Sequence, residues 1–366
     1  MSIATRRISR TRRPSYWSMG YIASWDASMP VSDINWSGLT HAMAFAALPT
    51  ATGQLDTTFS QNTAAQGTAW VDSLVAAAHG AGKKVFLTIG GANTQAQFAP
   101  ALANATYRAS LVSAVLAYID AHAFDGLDLD DEPIADADIP NLLLFIDELL
   151  AQRPRLVLSF CTGIANMNWR ESMLSDANLL AISQRVTMLN CMTYGMAGDW
   201  QGWSSWHGSP LYGHAPTTPS DIDITVAQCL SAGVPAAKVG IGAGFFGVGY
   251  SGCIGPSQPS TTWTFAGDDG KFDYNTIVNT YLPSMTRVWD TTSRVPYLWS
   301  STPVGPYNAT YISYDDDQSI GEKSAYIKQH RIGGMIMWHV AHQYFPGRSA
   351  GSRSPLLSAI RTTLLS

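Results

Sequence analysis

Eight short runs rich in aliphatic and aromatic residues, each leading into a segment of helical period, constrain this chain more than any other feature. The runs are YWSMGYIAS (16–24), LTHAMAFAA (39–47), KKVFLTIGG (83–91), FDGLDLD (124–130), RLVLSFCTG (155–163), VTMLNCMTY (186–194), KVGIGAGFF (238–246) and GGMIMWHV (333–340). Between them lie patterns such as YRASLVSAVLAYIDAHA and IPNLLLFIDELLAQ, whose apolar residues recur at three- and four-residue steps. Strands alternating with helices predict a parallel sheet, and eight such units predict an α/β fold closed as a (β/α)8 TIM barrel. Hydrophobic residues make up 46% of the chain and charged residues 13%, enough apolar surface for such a core.

The chain has 366 residues, more than the about 250 of a plain barrel. Much of the surplus follows the seventh run. Residues 248–312, with WTFAGDDGKFDYNTIVNTYLPSMTRVWDTTSRVPYLWSS, break the alternation and read as short strands plus one helix. They are expected to form a small α+β insertion subdomain, leaving 16–247 and 313–366 as the barrel domain. Loops after barrel strands build the active-site face, so this insertion is expected to wall a cleft. Residues 1–15 carry Arg6, Arg7, Arg10, Arg12 and Arg13 without an apolar core behind them and are expected to be a flexible basic arm, with a phosphate-binding tail as the alternative.

A net charge of −5 argues against a general nucleic-acid binder. No run of about 18 apolar residues offers a membrane span, and no signal-peptide core follows the arginines. Cys161, Cys191, Cys229 and Cys253 form no CxxC and no zinc spacing, and read as mostly free, buried thiols.

The fourth run continues into AFDGLDLDDEP (123–133), where acids interrupt an apolar segment. Side chains alternate across a strand, so Asp128, Asp130 and Glu132 share one face while Leu127 and Leu129 take the other. Inward positions of a barrel are normally apolar. Here they are carboxyls about 6.6 Å apart along the strand. At that spacing in a low dielectric they cannot all ionise, so some pKa values must rise, as a general acid requires. Three carboxylates also suit Mg²⁺ or Ca²⁺, and that reading stays open on spacing alone.

Asp125-Gly126-Leu127-Asp128-Leu129-Asp130-Asp131-Glu132 resembles, over its whole length, the Asp-Gly-x-Asp-x-Asp-x-Glu signature of glycoside hydrolase family 18, the chitinases and their relatives. TIGG (88–91), CMTYG (191–195), YISYDDDQSIGEKSAYI (311–327) and GGMIMW (333–338) resemble further family segments, and the insertion resembles a compact chitinase insertion domain. The resemblance implies catalysis without an enzymic nucleophile. Glu132 would protonate the glycosidic oxygen, and the substrate's N-acetyl oxygen would attack C1 to give an oxazolinium ion with retention. Asp130 would hold the acetamido N–H, Asp128 would couple to Asp130, and Tyr194 would bond the acetamido oxygen. Tyr21 and Thr88 would support the inner aspartates. Trp338 would floor the cleaved sugar's subsite, Trp200 would serve the leaving-group side, and Trp25 a distal subsite. Tyr21, Phe45 and Met192 complete the implied substrate contacts. Gly195 stands where relatives carry Asp, and Phe245-Phe246-Gly247-Val248 where many carry Phe-Tyr-Gly-Arg.

The implied function is a chitinase acting on β-1,4-linked N-acetylglucosamine, with chitin or chitooligosaccharides as partner, no cofactor, no metal, no nucleic acid or membrane, and a monomeric, extracellular state. The alternatives are an endo-β-N-acetylglucosaminidase and a non-catalytic chitin-binding lectin. GAGFFG (242–247) fits GxGxxG, but no helix follows it, so a dinucleotide site is not expected. HVAH (339–342) has two histidines three apart with no third ligand in view, so rim residues are expected there rather than zinc. Trp203, Trp206, His207 and His214 crowd the loop after the sixth run; the histidines are candidates to line the cleft, and the tryptophans read as simple loop packing, with sugar contact as the alternative.

Overall fold

The structure, a computed structural model, describes residues 16–168 and 174–366. The expected basic arm and the start of the helix expected near 172–183 lie outside the described residues. Fourteen strands are present among the described residues. In chain order they are β1 (Trp17–Ala23), β2 (His41–Pro49), β3 (Leu55–Asp56), β4 (Lys84–Gly91), β5 (Gly126–Asp131), β6 (Leu158–Thr162), β7 (Met188–Cys191) and β8 (Val239–Gly244). There follow β9 (Val248–Ser251), β10 (Thr264–Gly267), β11 (Thr286–Asp290), β12 (Val295–Val304), β13 (Ala309–Ser313) and β14 (Gly334–Trp338).

Eight of these run in the order β1-β14-β8-β7-β6-β5-β4-β2, and β1 also pairs with β2, so the parallel sheet closes into the expected (β/α)8 barrel. The short β3 adds an antiparallel hairpin to the end of β2. Helices coat the outside because their apolar stripes need cover. Ala105–Ala121 turns Leu111, Val112, Val115 and Ile119 inward. It is capped by Asn104, whose side chain accepts the N–H groups of Thr106 and Tyr107. Ile139–Gln152 takes Pro140 in its first turn, where no N–H partner is lost, and buries Leu142, Phe145, Ile146 and Leu149.

Two cores result. Leu127 and Leu129 of β5 join the large layer between barrel and helices. Inside the barrel a smaller cluster holds Met19, Tyr21, Met43, Phe45, Phe86 and Ile336. The alternation read from the sequence is therefore the division between these cores, with Asp128 and Asp130 on the inner side beside Thr88 and Gly90 of β4. Gly90 and Gly91 have φ of 111° and 115°, and a Cβ at Gly90 would stand 2.1 Å from the Asp130 carbonyl oxygen. Only glycine lets β4 approach the acidic strand so closely.

Strands β9 to β13 form a separate antiparallel sheet in the order β10-β9-β13-β12-β11. His207, fully buried, ties it to the barrel: Nε2 donates to Asp290 Oδ2 (3.1 Å), leaving Nδ1 to accept from Ser313 Oγ (2.9 Å). Trp206 packs with Val248, Tyr250 and Tyr311 in the same seam. His214 holds Asp221 (2.7 Å), which caps the helix Ile222–Ser231 through the Ile224 N–H. The two histidines, candidates for the cleft on sequence, and Trp206 are structural: the apolar sheet and the helix end supply their partners. GAGFFG runs from β8 toward β9 without a helix, and a Cβ at Gly242 would stand 2.7 Å from the Tyr194 ring. Its glycine makes room for that tyrosine.

Beyond β13, Asp315 and Lys323 form a fully buried ion pair, with Nζ 2.6 and 2.5 Å from the carboxylate oxygens and 2.7 Å from Ser209 Oγ. Lys323 lies on the helix Asp317–His330, so the pair ties the end of the inserted segment to the barrel.

Candidate active site

Asp125, first of the acid series, lies at the entry to β5 and accepts from Lys84 Nζ (2.6 Å) and the Val85 N–H (2.9 Å). It joins adjacent strand ends and takes no part in the cleft. Asp128 is fully buried and saturated with donors. Tyr21 Oη (3.0 Å) and Thr88 Oγ1 (3.1 Å) donate to Oδ2, Ser159 Oγ donates to Oδ1, and Cys161 Sγ stands 3.9 Å away. Burial raises its pKa, while the bonds from Ser159, Tyr21 and Thr88 favour the ionised form and oppose that rise.

Asp130 has no comparable shell. It is 4% exposed and its Oδ1 finds no hydrogen-bond partner. Burial, then the charge of Glu132, then that of Asp128, push its pKa well above the usual carboxylate range. Both carboxyls are harder to ionise than exposed ones, and Asp130 has the fewer donors to offset that. Glu132 is the first residue past β5 rather than part of it; it is half-buried, and burial raises its pKa too. Tyr194, just after β7, is held as the neutral phenol by burial and by the nearby Cys161, Asp130 and Glu132.

Asp131 faces the other way and is 2% exposed, with its pKa raised from 3.8 to about 7 by burial, Asp138 and Glu132. Between those two pH values the folded chain keeps a proton that the unfolded chain releases, so stability falls as pH rises through that window and is flat above it. Asp131→Asn is expected to remove this slope, by at most about 4 kcal/mol. The variant should gain on the parent at pH 8 and lose that gain at pH 4. Urea titrations at the two pH values test this, and parallel behaviour of the two proteins would refute it.

Asp130 and Glu132 open onto a cleft of about 780 Å³. Its aromatic end is a box of Tyr21, Trp25, Phe45 and Trp338. The Phe45 and Trp338 rings meet edge-on at 4.7 Å, and Trp25 lies 5.6 Å from Phe45 and 6.1 Å from Trp338. Trp338 is fixed in turn by a 2.7 Å bond from Nε1 to Asp269 Oδ2 of the inserted segment. Met192 and Tyr194 complete the wall near the acids, and Phe246 closes the side toward β9.

Of the candidates from sequence, Glu132, Asp130, Tyr194, Trp338, Tyr21, Phe45, Met192 and Trp25 line this one cleft. Asp128 stands behind them. Trp200 is outside the lining: it is 44% exposed and packs on Trp203 at 4.6 Å, because the loop after β7 turns toward the inserted sheet. Val248 is buried in that sheet's core. Ser159, Cys161 and Asp269 were not anticipated. The first two sit at alternate positions of LSFCT, an inward polar signal on a barrel strand. Asp269 lies in GDDG, whose spacing carries no such signal.

A model of the glycosyl hydrolases of family 18 matches residues 18–342. Chitinase A1 of Niallia circulans is 29% identical over 292 residues, 70% of this chain and 40% of that protein's length. Among solved structures, the Group IV chitinase of Ostrinia furnacalis superposes with a TM-score of 0.80 at 21% identity, covering 96% of this chain and 100% of that one. A chitinase-like agglutinin from Robinia pseudoacacia superposes with a TM-score of 0.75 at 26% identity, covering 94% and 98%.

Proposed function

Because the chain belongs to the glycosyl hydrolases of family 18, we propose that it is a chitinase that cleaves β-1,4-linked N-acetylglucosamine chains with retention. The observation that carries this reading is the pairing, at one aromatic cleft, of a half-buried acid, Glu132, with a buried carboxyl, Asp130. Glu132 gives its proton to the glycosidic oxygen as the bond to C1 breaks, and the leaving sugar departs as an alcohol. The substrate's acetamido oxygen forms the new bond to C1. Asp130 accepts the acetamido N–H and offsets the growing positive charge, and Tyr194 donates to the acetamido oxygen. Water then opens the oxazolinium ion, returning a proton to Glu132. Burial keeps Glu132 protonated at a higher pH than an exposed glutamate, which suits a donor. Asp128, bonded by Tyr21, Thr88 and Ser159, lies behind Asp130 and couples to it, helping to set its protonation.

Trp338 and Trp25 offer apolar faces for successive sugar rings, and residues 248–312 act as a subdomain that deepens the groove. Trp200, off the cleft, is left for a leaving-group sugar beyond it. Action on a polymer that lies outside cells implies an extracellular enzyme. The agglutinin's likeness keeps a lectin as the second reading, so binding and turnover are measured separately. Incubation with chitin oligomers, colloidal chitin and a high-mannose glycopeptide is expected to give cleavage of the first two. Cleavage of the glycopeptide alone would make it an endo-β-N-acetylglucosaminidase, and binding without cleavage a lectin.

A further inference from the structure

Behind the aromatic box, outside the acid pair, five titratable side chains converge from three parts of the chain. His339 and His342 follow β14, Asp26 follows β1, and Asp269 and Asp273 come from the segment after β10. The imidazoles are 2% and 5% exposed with ring centroids 3.5 Å apart, and the Nδ1 atom of each has no hydrogen-bond partner. His339 Nε2 is 3.7 Å from Asp26 Oδ2. His342 presents Nδ1 to Asp269 Oδ1 and Nε2 to Asp273 Oδ1, each at 3.4 Å. One donor atom from each of Asp26, His339 and His342 falls within 4.8 Å of the other two.

We propose that Asp26, His339 and His342 bind a divalent cation of the zinc class. A four-coordinate zinc at usual bond lengths separates its ligand atoms by about 3.4 Å, so these three need to close by at most about 1.4 Å. Two imidazoles with one carboxylate suit zinc and its neighbours, whereas calcium and magnesium prefer all-oxygen shells. An acceptor on the other ring nitrogen orients a ligating histidine, and His342 has one. Whichever nitrogen of His342 binds the ion, the other faces a carboxylate at 3.4 Å. Water fills the fourth position. The third ligand, absent from the neighbourhood of HVAH in sequence, arrives through barrel closure, which sets β1 beside β14.

The ion positions aromatic side chains and takes no part in bond cleavage. Trp25 and Trp338 directly precede Asp26 and His339, and Trp338 bonds Asp269, so one ion links the β1 loop, the β14 loop and the inserted segment beneath the sugar platform.

The test uses the full chain without a histidine tag, stripped with EDTA, titrated with ZnCl₂ by calorimetry and with CoCl₂ by visible absorbance. One ion per chain is expected, with the visible band of four-coordinate cobalt and no comparable uptake of CaCl₂. His342→Gln and Asp26→Asn should each weaken zinc binding by more than about 10-fold. Asp26→Asn changes one partly exposed loop residue and keeps the test available if His342→Gln fails to fold. Absence of stoichiometric zinc, a preference for calcium, or full affinity in Asp26→Asn would overturn the site. None of these readouts depends on glycosidase activity.

Discussion

Glu132→Gln is expected to lower turnover of chitin oligosaccharides by about 10²–10⁴-fold, the range that general acid catalysis supplies, while leaving oligosaccharide affinity within a few-fold of the parent. Glutamine has nearly the shape of glutamate and still hydrogen-bonds, but it has no proton to give as the C1–O bond breaks. Binding rests on other groups: the box of Tyr21, Trp25, Phe45 and Trp338 keeps its geometry because Phe45 and Trp338 hold one another and Asp269 holds the indole. Glutamine cannot acquire the charge that, on Glu132, opposes ionisation of Asp130, so the fold should be no less stable. Steady-state rates and calorimetric affinity for one oligomer check both halves. A variant that keeps more than a few per cent of the parent rate would remove Glu132 from the acid role. A variant that loses affinity in step with rate would mean that the cleft itself had been disturbed.

Asp315→Ala is expected to cost about 3–5 kcal/mol of folding stability, because it leaves an ammonium buried without its partner. Lys323 is fully buried, and the carboxylate of Asp315 supplies two of the bonds to its Nζ. Burial lowers the lysine's pKa and the nearby Asp315 opposes that shift. After substitution only Ser209 Oγ and the weaker field of Asp316 remain. Asp315 also accepts from Ser319 Oγ (2.7 Å), so the first turn of the helix Asp317–His330 loses a contact as well. The double variant Asp315→Ala with Lys323→Met should recover much of the loss, since a buried pair replaced by apolar groups is often neutral. Urea midpoints at unchanged slope give the comparison. A loss below about 1 kcal/mol for the single variant would show that water reaches the lysine.

The barrel was legible because its two periods are local. Apolar residues in YRASLVSAVLAYIDAHA recur at helical steps, and the helix Ala105–Ala121 buries that stripe. Two-residue alternation in GLDLD separates Leu127 and Leu129 from Asp128 and Asp130, and the structure sends the leucines to the core under the helices and turns Asp128 to Tyr21 inside the barrel. The boundary of β5 was less legible: it stops at Asp131, and Glu132 reaches the cleft from just beyond. His207, a candidate to line the cleft, is buried instead, since a polar side chain in a long loop reads as surface until a sheet is known to cover it. Where Trp200 would stand was not legible either, because the direction of a loop is not written in its residues.

What the chain determines by itself is whatever depends on near neighbours: which segments are strands, which face of each is apolar, and that a row of acids shares one face of the fourth barrel strand. Spacing alone carries these, because backbone geometry converts it directly into direction. The tertiary structure decided which distant groups meet. It gave Asp128 its donors from β1, β4 and β6, left Asp130 without a partner for one of its oxygens, bonded Trp338 to Asp269, and set Asp26 against His339. Such meetings follow from barrel closure and from the seat of the inserted sheet, which arise from packing of the whole chain and leave no periodic trace in its order.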